Sequence, residues 1–301
     1  MDGILNINKP PGRTSFSIVA EIKRLSGEPR VGHAGTLDPS ATGVLPVCLG
    51  QGTKTIPFLM AATKTYRAQI ELGVTTDTYD AEGEIIQQKD PSPVSRKQLE
   101  SALSSFRGSI RQTPPMYSAV KHHGQPLYKL ARAGINIKRK SRTARIDRLE
   151  LTDWQPPLAT LEVVCGKGTY IRSLAHDLGQ SLGCGASLRS LIRLRYGPFD
   201  IAEAISPPQL EDAFRLGYGQ NLVYPIDIVL LGWPAVVVND EMAQAVVKGQ
   251  PVRLKKPGGA KKHDYCRAYA PDGHFLGVLR YHPEREHWQP ERIFSREFSR
   301  T

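Results

Sequence analysis

The run Gly32-His33-Ala34-Gly35-Thr36-Leu37-Asp38-Pro39-Ser40-Ala41-Thr42-Gly43-Val44-Leu45-Pro46 sets one carboxylate and one imidazole among four turn formers, Gly32, Gly35, Pro39 and Gly43. Such a loop must be tightly shaped around Asp38. By pattern alone, an aspartate before proline in a glycine-rich loop is more often a turn former than a catalyst. Two further clusters have the residue types for chemistry. Gly166-Lys167-Gly168-Thr169 looks like a phosphate cradle, but a P-loop needs Lys followed directly by Ser or Thr, and Gly168 intervenes. Asp77, Asp80 and Glu82 have the types to share a divalent ion; no histidine lies nearby, and acidic loop clusters of this kind are usually solvated turns, so no metal site is expected.

The elements around these residues follow from periodicity. Residues 3–8 read as a short apolar strand, Lys9-Pro10-Pro11-Gly12 as a turn, and Thr14 or Ser15 as the cap of a helix with Phe16, Val19, Ala20 and Ile22 inward. Residues 66–72 alternate apolar and polar, the period of a half-buried strand beginning at Tyr66. Residues 161–165 form a second strand, a bend follows at 166–168, and Ile171, Leu174, Ala175, Leu178 and Leu182 then repeat with helical spacing. Arg172 thus falls in the first turn of a helix, beside a strand end, a junction that often presents functional side chains. Strands and helices are intermixed without βαβ alternation or internal repeats, which predicts an α+β fold with a mixed, mostly antiparallel sheet. Past Tyr224-Pro225, short apolar runs at 235–238, 265–270 and 275–279 are separated by Gly249, Pro257-Gly258-Gly259 and Asp272-Gly273, the pattern of a small β-rich domain. With 301 residues, two domains are expected, at 1–228 and 229–301.

Forty Lys and Arg against 29 Asp and Glu give a net charge of +11, which favours a polyanionic partner over an acidic small molecule. Both domains share the excess. Between Ser101 and Ile146 there is no acidic residue, while Arg107, Arg111, Lys121, Lys129, Arg132, Lys138, Arg139, Lys140, Arg142 and Arg145 are all basic. A solvated basic face accounts for this as readily as phosphate binding does. The interleaved Tyr117, Tyr128, His122 and His123 shift the weight toward RNA, since aromatic rings stack on unpaired bases. Four widely spaced cysteines without a C-x-x-C pair read as reduced thiols in a cytoplasmic protein. No apolar run is long enough to span a bilayer, and the early Lys9-Pro10-Pro11 leaves no room for a targeting peptide, so no membrane is expected.

The Asp38 run resembles the catalytic segment of the family of tRNA pseudouridine-55 synthases, G-H-x-G-x-L-D-P-x-A-x-G-x-L-P. Further segments match in the family's order: residues 9–15, 64–68, 73 with 76–83, 114–121 and 167–172. The resemblance covers roughly residues 3–200, and six ordered motifs are far more specific than any one. It implies a catalytic domain of the pseudouridine synthase fold and a uridine-to-pseudouridine isomerase acting on position 55 of tRNA, without a cofactor, since no electrons or groups pass to a third molecule. It assigns the catalytic carboxylate to Asp38, its ionic partner to Arg172, and the tyrosine that stacks on the target base to Tyr66. His33 is expected to support extrusion of the base, and Tyr170 and Leu191 to line its pocket. Lys9, Arg13, Lys64, Arg67, Lys121, Arg132, Arg189 and Arg193 are the expected RNA contacts. Where the family continues Leu-Arg-Arg-Thr, this chain has Leu191-Ile192-Arg193-Leu194, leaving Arg189 or Arg195 to replace one contact.

A stacked, paired uridine has to be flipped out before a carboxylate reaches it. The basic segment at about 120–146 corresponds to the family's insertion that closes over the T-loop, and its unpaired like charges predict mobility without RNA. Residues 229–301 carry a weaker match to a PUA-like RNA-binding β-barrel. The remaining rival is a non-catalytic RNA-binding protein on the same scaffold; the intact Asp38, Tyr66 and Arg172 set favours an enzyme. Opening the tRNA elbow to flip a base is also compatible with assisting tRNA folding. Attack of Asp38 at C1′, attack at C6 and abstraction of a sugar proton all fit the sequence alike. The expected partner is the T-loop and T-stem of tRNA, with no guide RNA or obligatory protein partner, and nothing requires more than a monomer.

Overall fold

The strand Lys64–Leu72 buries Lys64, Tyr66, Ala68, Ile70 and Leu72 on one face and turns Arg67 to solvent, the alternation that period-two geometry imposes. It lies centrally in a nine-stranded sheet within a computed structural model whose described residues are 1–118, 120–254 and 264–294. Its neighbours are Ala186–Tyr196 on one side and Leu158–Cys165 on the other, both antiparallel. Outward from Leu158–Cys165 come Arg142–Gln155 and Gly108–Gln112; outward from Ala186–Tyr196 come Thr42–Leu49 and Gly3–Lys9. The pairing of Ala186–Tyr196 with Thr42–Leu49 is parallel, and every other pair in this sheet is antiparallel among the described residues. The chain is therefore α+β with a mixed, mostly antiparallel sheet.

Two glycines allow the close approaches on which the site depends. A Cβ on Gly43, whose φ is +99°, would stand 2.3 Å from the carbonyl oxygen of Arg193, so only glycine lets the Asp38 loop's outgoing strand meet Arg193. A Cβ on Gly179 would stand 2.1 Å from the amide nitrogen of Ala186. That lets the helix Ile171–Leu182 lie directly on the strand Ala186–Tyr196. The core between helices and sheet includes Ile18, Ile22, Leu45, Ala68, Ile70, Leu161, Val163, Leu174 and Leu178.

Element ends differ from expectation by a few residues. The central strand starts at Lys64 rather than Tyr66, its neighbour at Leu158, and the first strand runs to Lys9. The helix Ser15–Ser26 is capped by Thr14, whose hydroxyl accepts from the amide of Ser17. Its buried row is Ser15, Ile18, Val19 and Ile22. Phe16 is 76% exposed, and Ala20 is exposed as well. The row through Phe16, Val19 and Ala20 continues to Lys23, so turning it inward would bury a charge.

In the basic segment, Lys121–His122 pairs with Gln125–Pro126, the helix Leu127–Arg132 follows, and residues from Arg142 onward belong to the large sheet. The C-terminal part forms a second sheet in the order Ala235–Val237, Tyr265–Tyr269, Phe275–His282, His287–Ile293. With the helix Asp240–Val247 it encloses Val238, Val246, Cys266, Ala268, Leu279 and Trp288. It packs against the larger part through Leu230, Val278 and Phe294 with Phe58 and Trp233, and Lys54 donates to the carbonyl of Ile293 at 2.7 Å. Ala119 and the separator Pro257-Gly258-Gly259 lie outside the described residues. All four cysteines are buried free thiols. No helix among the described residues is long and apolar enough to cross a membrane.

Candidate active site

Asp38 sits in the loop between the strands Val31–His33 and Thr42–Leu49, and contacts from within the loop and from the chain at residues 9–15 set its shape. Asp38's own carbonyl accepts from the amide of Ala41 at 3.1 Å, and the amide of Gly12 donates to the carbonyl of Pro39 at 2.9 Å. The Ser15 hydroxyl donates to the carbonyl of Leu37 and accepts from its amide. The fully buried Lys9 ammonium donates to the carbonyls of Pro10, Arg13 and Pro39 at 2.9, 2.7 and 3.0 Å, tying the Pro-Pro turn to the Asp38 loop. Burial lowers its pKa to about 8, with Asp38 opposing, so it stays cationic at neutral pH.

Arg172 reaches the carboxylate from the first turn of the helix Ile171–Leu182. Its Nη2 lies 3.1 Å from Asp38 Oδ2 and donates to the carbonyl of Tyr117 at 2.7 Å, while Nη1 lies 3.3 Å from Asp80 Oδ2. The guanidinium is thus shared by two carboxylates. Asp80 is itself fixed: its Oδ1 accepts from the Thr78 hydroxyl at 2.6 Å and from the amide of Glu82 at 3.1 Å. Asp77 Oδ1 accepts from the amide of Glu84. The acids read as a solvated turn are a turn, but one of them belongs to the site. What marks Asp80 in sequence is only its place in a matched family segment; the pairing with Arg172 spans 92 residues of chain.

The carboxylate of Asp38 opens onto a pocket of about 300 Å³ lined by Tyr66, Ser118, Tyr170, Arg172, Leu191, Tyr196 and the rim residues Met60 and Lys167, near the lower end of the roughly 300–1,000 Å³ usual for ligand sites. A narrower cleft on the other side of Asp38 is lined by Asp80, Glu82 and Arg189. The Asp38 side chain retains 40% of its surface because it faces this open space, whereas the Arg172 side chain behind it retains 9%. Burial raises the Asp38 pKa from its ordinary value, Arg172 opposes this, and Asp80 adds to it. Arg172 lowers the Asp38 pKa, as an opposite charge at close range does, but desolvation outweighs it. Tyr66 and Tyr170 are both raised as well, by burial first, so both phenols are neutral near pH 7. The backbone at Tyr170 is held by reciprocal hydrogen bonds with the Gln112 side chain, at 3.1 and 3.2 Å.

The structure brings together Asp38, Tyr66, Tyr170, Arg172 and Leu191. His33 lies in a strand, outside the pocket wall, with its Nδ1 buried and unpartnered. Burial, then Arg193, lowers its pKa, so the ring is neutral.

Four expected RNA contacts are otherwise engaged. Lys9 is spent on three carbonyls. Lys64, 7% exposed, donates to the carbonyls of Met60 and Ala62 and lies 4.5 Å from the Tyr196 ring centroid. Arg193, 1% exposed, donates to the carbonyls of Val44 at 2.6 Å and Gly35 at 3.1 Å and hydrogen-bonds the Tyr66 hydroxyl. Arg13 pairs with Glu21 at 2.5 Å. A cation whose donors already point at buried carbonyls would have to strand them to reach a phosphate. Lys9, Lys64 and Arg193 therefore organise the Asp38 loop and the pocket floor. Arg67, Lys121, Arg132 and Arg189 are exposed. Arg189 lies 3.8 Å from Glu71 and Arg195 4.0 Å from Asp200, both at the surface, where such pairs are weak.

Residues 23–171 match the model of the TruB family pseudouridylate synthase N-terminal domain, and residues 172–230 that of the tRNA pseudouridylate synthase B C-terminal domain. A tRNA pseudouridine synthase B of Dehalococcoides mccartyi strain 195 is 43% identical over 98% of this chain and 97% of that protein. The enzyme of the same name from Pseudomonas aeruginosa strain UCBPP-PA14 is 44% identical over 92% of this chain and 91% of its own. Among solved structures, a chain of a Cbf5–Nop10–Gar1 complex is 29% identical with a TM-score of 0.72, covering 93% of this chain and 78% of that one.

Proposed function

The chain belongs to the TruB family of pseudouridylate synthases and isomerises uridine in tRNA; on that premise we propose that its target is the T-loop uridine at position 55 and that Asp38 is the reacting carboxylate. In the isomerisation the N1–C1′ bond breaks, the uracil turns within the pocket, C5 bonds to C1′, and the C5 proton leaves. Nothing is gained or lost overall except the exchange of that proton for one on N1. The observation that carries the assignment is Asp38 aimed into the pocket by Arg172 at 3.1 Å, with the neutral Tyr66 lining the same space.

A carboxylate in that place serves each of the three routes: attack at C1′, attack at C6, or removal of the sugar proton. Arg172 keeps it ionised against the desolvation that a bound base completes. Tyr66 supports the base and, held by Arg193, is suited to relay the C5 proton, giving up its own hydroxyl proton toward N1 as it takes that one. Tyr170 and Leu191 form the walls. His33, neutral and at the strand end before the Asp38 loop, suits a packing role in extrusion of the nucleotide rather than acid-base work. Arg67, Lys121, Arg132 and Arg189 supply phosphate contacts, and the basic segment at 120–146 closes over the T-loop. Residues 229–301 form a PUA-like domain that adds affinity at the tRNA elbow or acceptor end, following a catalytic domain at 1–228. The reaction needs no cofactor, guide RNA or protein partner, so a cytoplasmic monomer suffices.

Tritium release from a tRNA transcript labelled at uracil C5 tests the assignment without added metal or nucleotide. Wild type should release the label from position 55 alone, and Asp38→Asn should release none. Release by Asp38→Asn at the wild-type rate, or from another position, overturns it. Flipping also opens the tRNA elbow, and Asp38→Asn should therefore retain any assistance to tRNA folding; its loss in a variant that binds tRNA normally refutes that part.

A further inference from the structure

Arg172 grips the turn between the strands Val74–Thr76 and Ile85–Gln88 at two points, the Asp80 carboxylate and, more weakly, the Thr78 carbonyl at 3.5 Å. Between those two residues stands Tyr79, with a φ of +65°. Left-handed backbone is uncommon for any residue but glycine, and an aromatic side chain gains nothing from it locally. Two longer-range contacts accompany the conformation. The carbonyl of Tyr79 accepts from the amide of Leu188 at 3.0 Å. Its ring stacks on His176, with centroids 3.9 Å apart and planes 16° from parallel.

His176 is four residues beyond Arg172 on the helix Ile171–Leu182, and side chains at that spacing stand one above the other on a single face. One helix face therefore holds three consecutive turn residues: Arg172 takes Thr78 and Asp80, and His176 takes Tyr79 between them. The Nδ1 of His176 is buried without a partner, and burial together with the Arg139 guanidinium keeps the ring neutral. Arg139 comes from the basic segment and is fixed to the carbonyl of Pro114 at 3.0 Å. Among the described residues Arg139 is the charge that acts on the imidazole and no carboxylate pairs with it, so what it offers Tyr79 is a flat surface.

We propose that Tyr79 and His176 are positioning residues for the isomerisation, their stack holding the turn so that Asp80 meets Arg172 and Arg172 in turn presents Asp38 to the flipped nucleotide. The proposal rests on the reading of Asp38 as the reacting carboxylate. A clamp of this kind acts on the orientation of the reacting group and leaves RNA affinity alone.

The test is single-turnover tritium release at saturating enzyme, beside tRNA affinity and urea unfolding, for Tyr79→Ala, His176→Ala, their double variant, and Asp38→Asn. Each single variant should lose about tenfold or more in rate, within the roughly hundredfold that misplacement by 1 Å can cost, with tRNA affinity unchanged. The double variant should be no slower than the slower single one, because both remove the same contact. Tyr79→Phe and His176→Phe keep two flat rings and should restore the rate. Tyr79→Gly separates positioning from folding: glycine accepts the left-handed backbone, so stability should hold while the rate still falls.

A wild-type rate in Tyr79→Gly, a multiplicative loss in the double variant, or a loss confined to affinity overturns the clamp. Full activity in Asp38→Asn would instead overturn the reading beneath it.

Discussion

Asp80→Asn is the substitution that tests the two-carboxylate arrangement most directly. Asparagine keeps an Oδ1 that can accept from Thr78 and from the amide of Glu82, so the turn retains its local hydrogen bonds. What it loses is the charge 3.3 Å from Arg172 Nη1. A hydrogen bond to a charged group contributes about 1.5–3 kcal/mol; if that difference is felt in the transition state, the single-turnover rate falls roughly ten- to hundredfold. The direction of the pH response is independent of that magnitude. Asp80 raises the pKa of Asp38; with Asp38 in its proposed role as the reacting carboxylate, the rate falls as pH drops through its pKa. Neutralising Asp80 must move that acidic limb to lower pH. Tritium release followed across pH at saturating enzyme reads both quantities. An unchanged rate, or a limb displaced upward, would refute the coupling of Asp80 to Asp38 through Arg172.

Arg193→Met leaves the carbonyls of Val44 and Gly35 without their donors, and should destabilise the protein by about 3 kcal/mol in urea unfolding; the salt dependence of tRNA binding should keep its slope, which would drop by about one if Arg193 touched a phosphate. Burial alone raises the Asp177 pKa from 3.8 to about 6. Its contribution is therefore fully present below pH 4 and lost as pH rises through 6, so Asp177→Asn should stabilise by about 1–2 kcal/mol at pH 7.5, solvent screening at the half-buried side chain reducing the full effect, and by nothing near pH 3.5; equal effects at both values in thermal unfolding would contradict this. Hydrogen exchange in residues 120–146 should slow markedly on adding tRNA, and uniformly strong protection in the free protein would refute closure on RNA.

The parts of the site legible in sequence are those specified by short-range pattern. Turn formers around Asp38 require a shaped loop, the alternation of residues 64–72 puts Tyr66 on the buried face, and helical spacing after Gly168 places Arg172 in a first turn facing the strand ends. Asp80 was not legible, because an aspartate that caps a hairpin turn and one that also holds an arginine have the same local signature. Only the packing of the helix against the turn distinguishes them. The helix Ser15–Ser26 offered two rows sharing Val19, and the choice between them turned on Lys23, whose charge belongs outside.

The cations show the same limit in a sharper form. A net charge of +11 treats every Lys and Arg as equally available to phosphate, yet Lys9, Lys64 and Arg193 each spend their donors on backbone carbonyls around the pocket. Pro10, Arg13, Gly35 and Pro39 lie in the turn and loop around Asp38, Met60 and Ala62 at the end of the helix Ile56–Ala61, and Val44 in the strand Thr42–Leu49 beside that loop. Buried carbonyls without donors are costly, and long flexible cations can satisfy several of them at once while adding positive potential beside Asp38. The irregular backbone that creates the pocket thus creates the demand for buried cations. Of these cations Lys9, together with Arg172, opposes the rise that burial imposes on the Asp38 pKa. Burial thus separates two kinds of basic charge: Lys9, Lys64 and Arg193 are committed to backbone carbonyls, whereas Arg67, Lys121, Arg132 and Arg189 are exposed, as the RNA contacts proposed for them require.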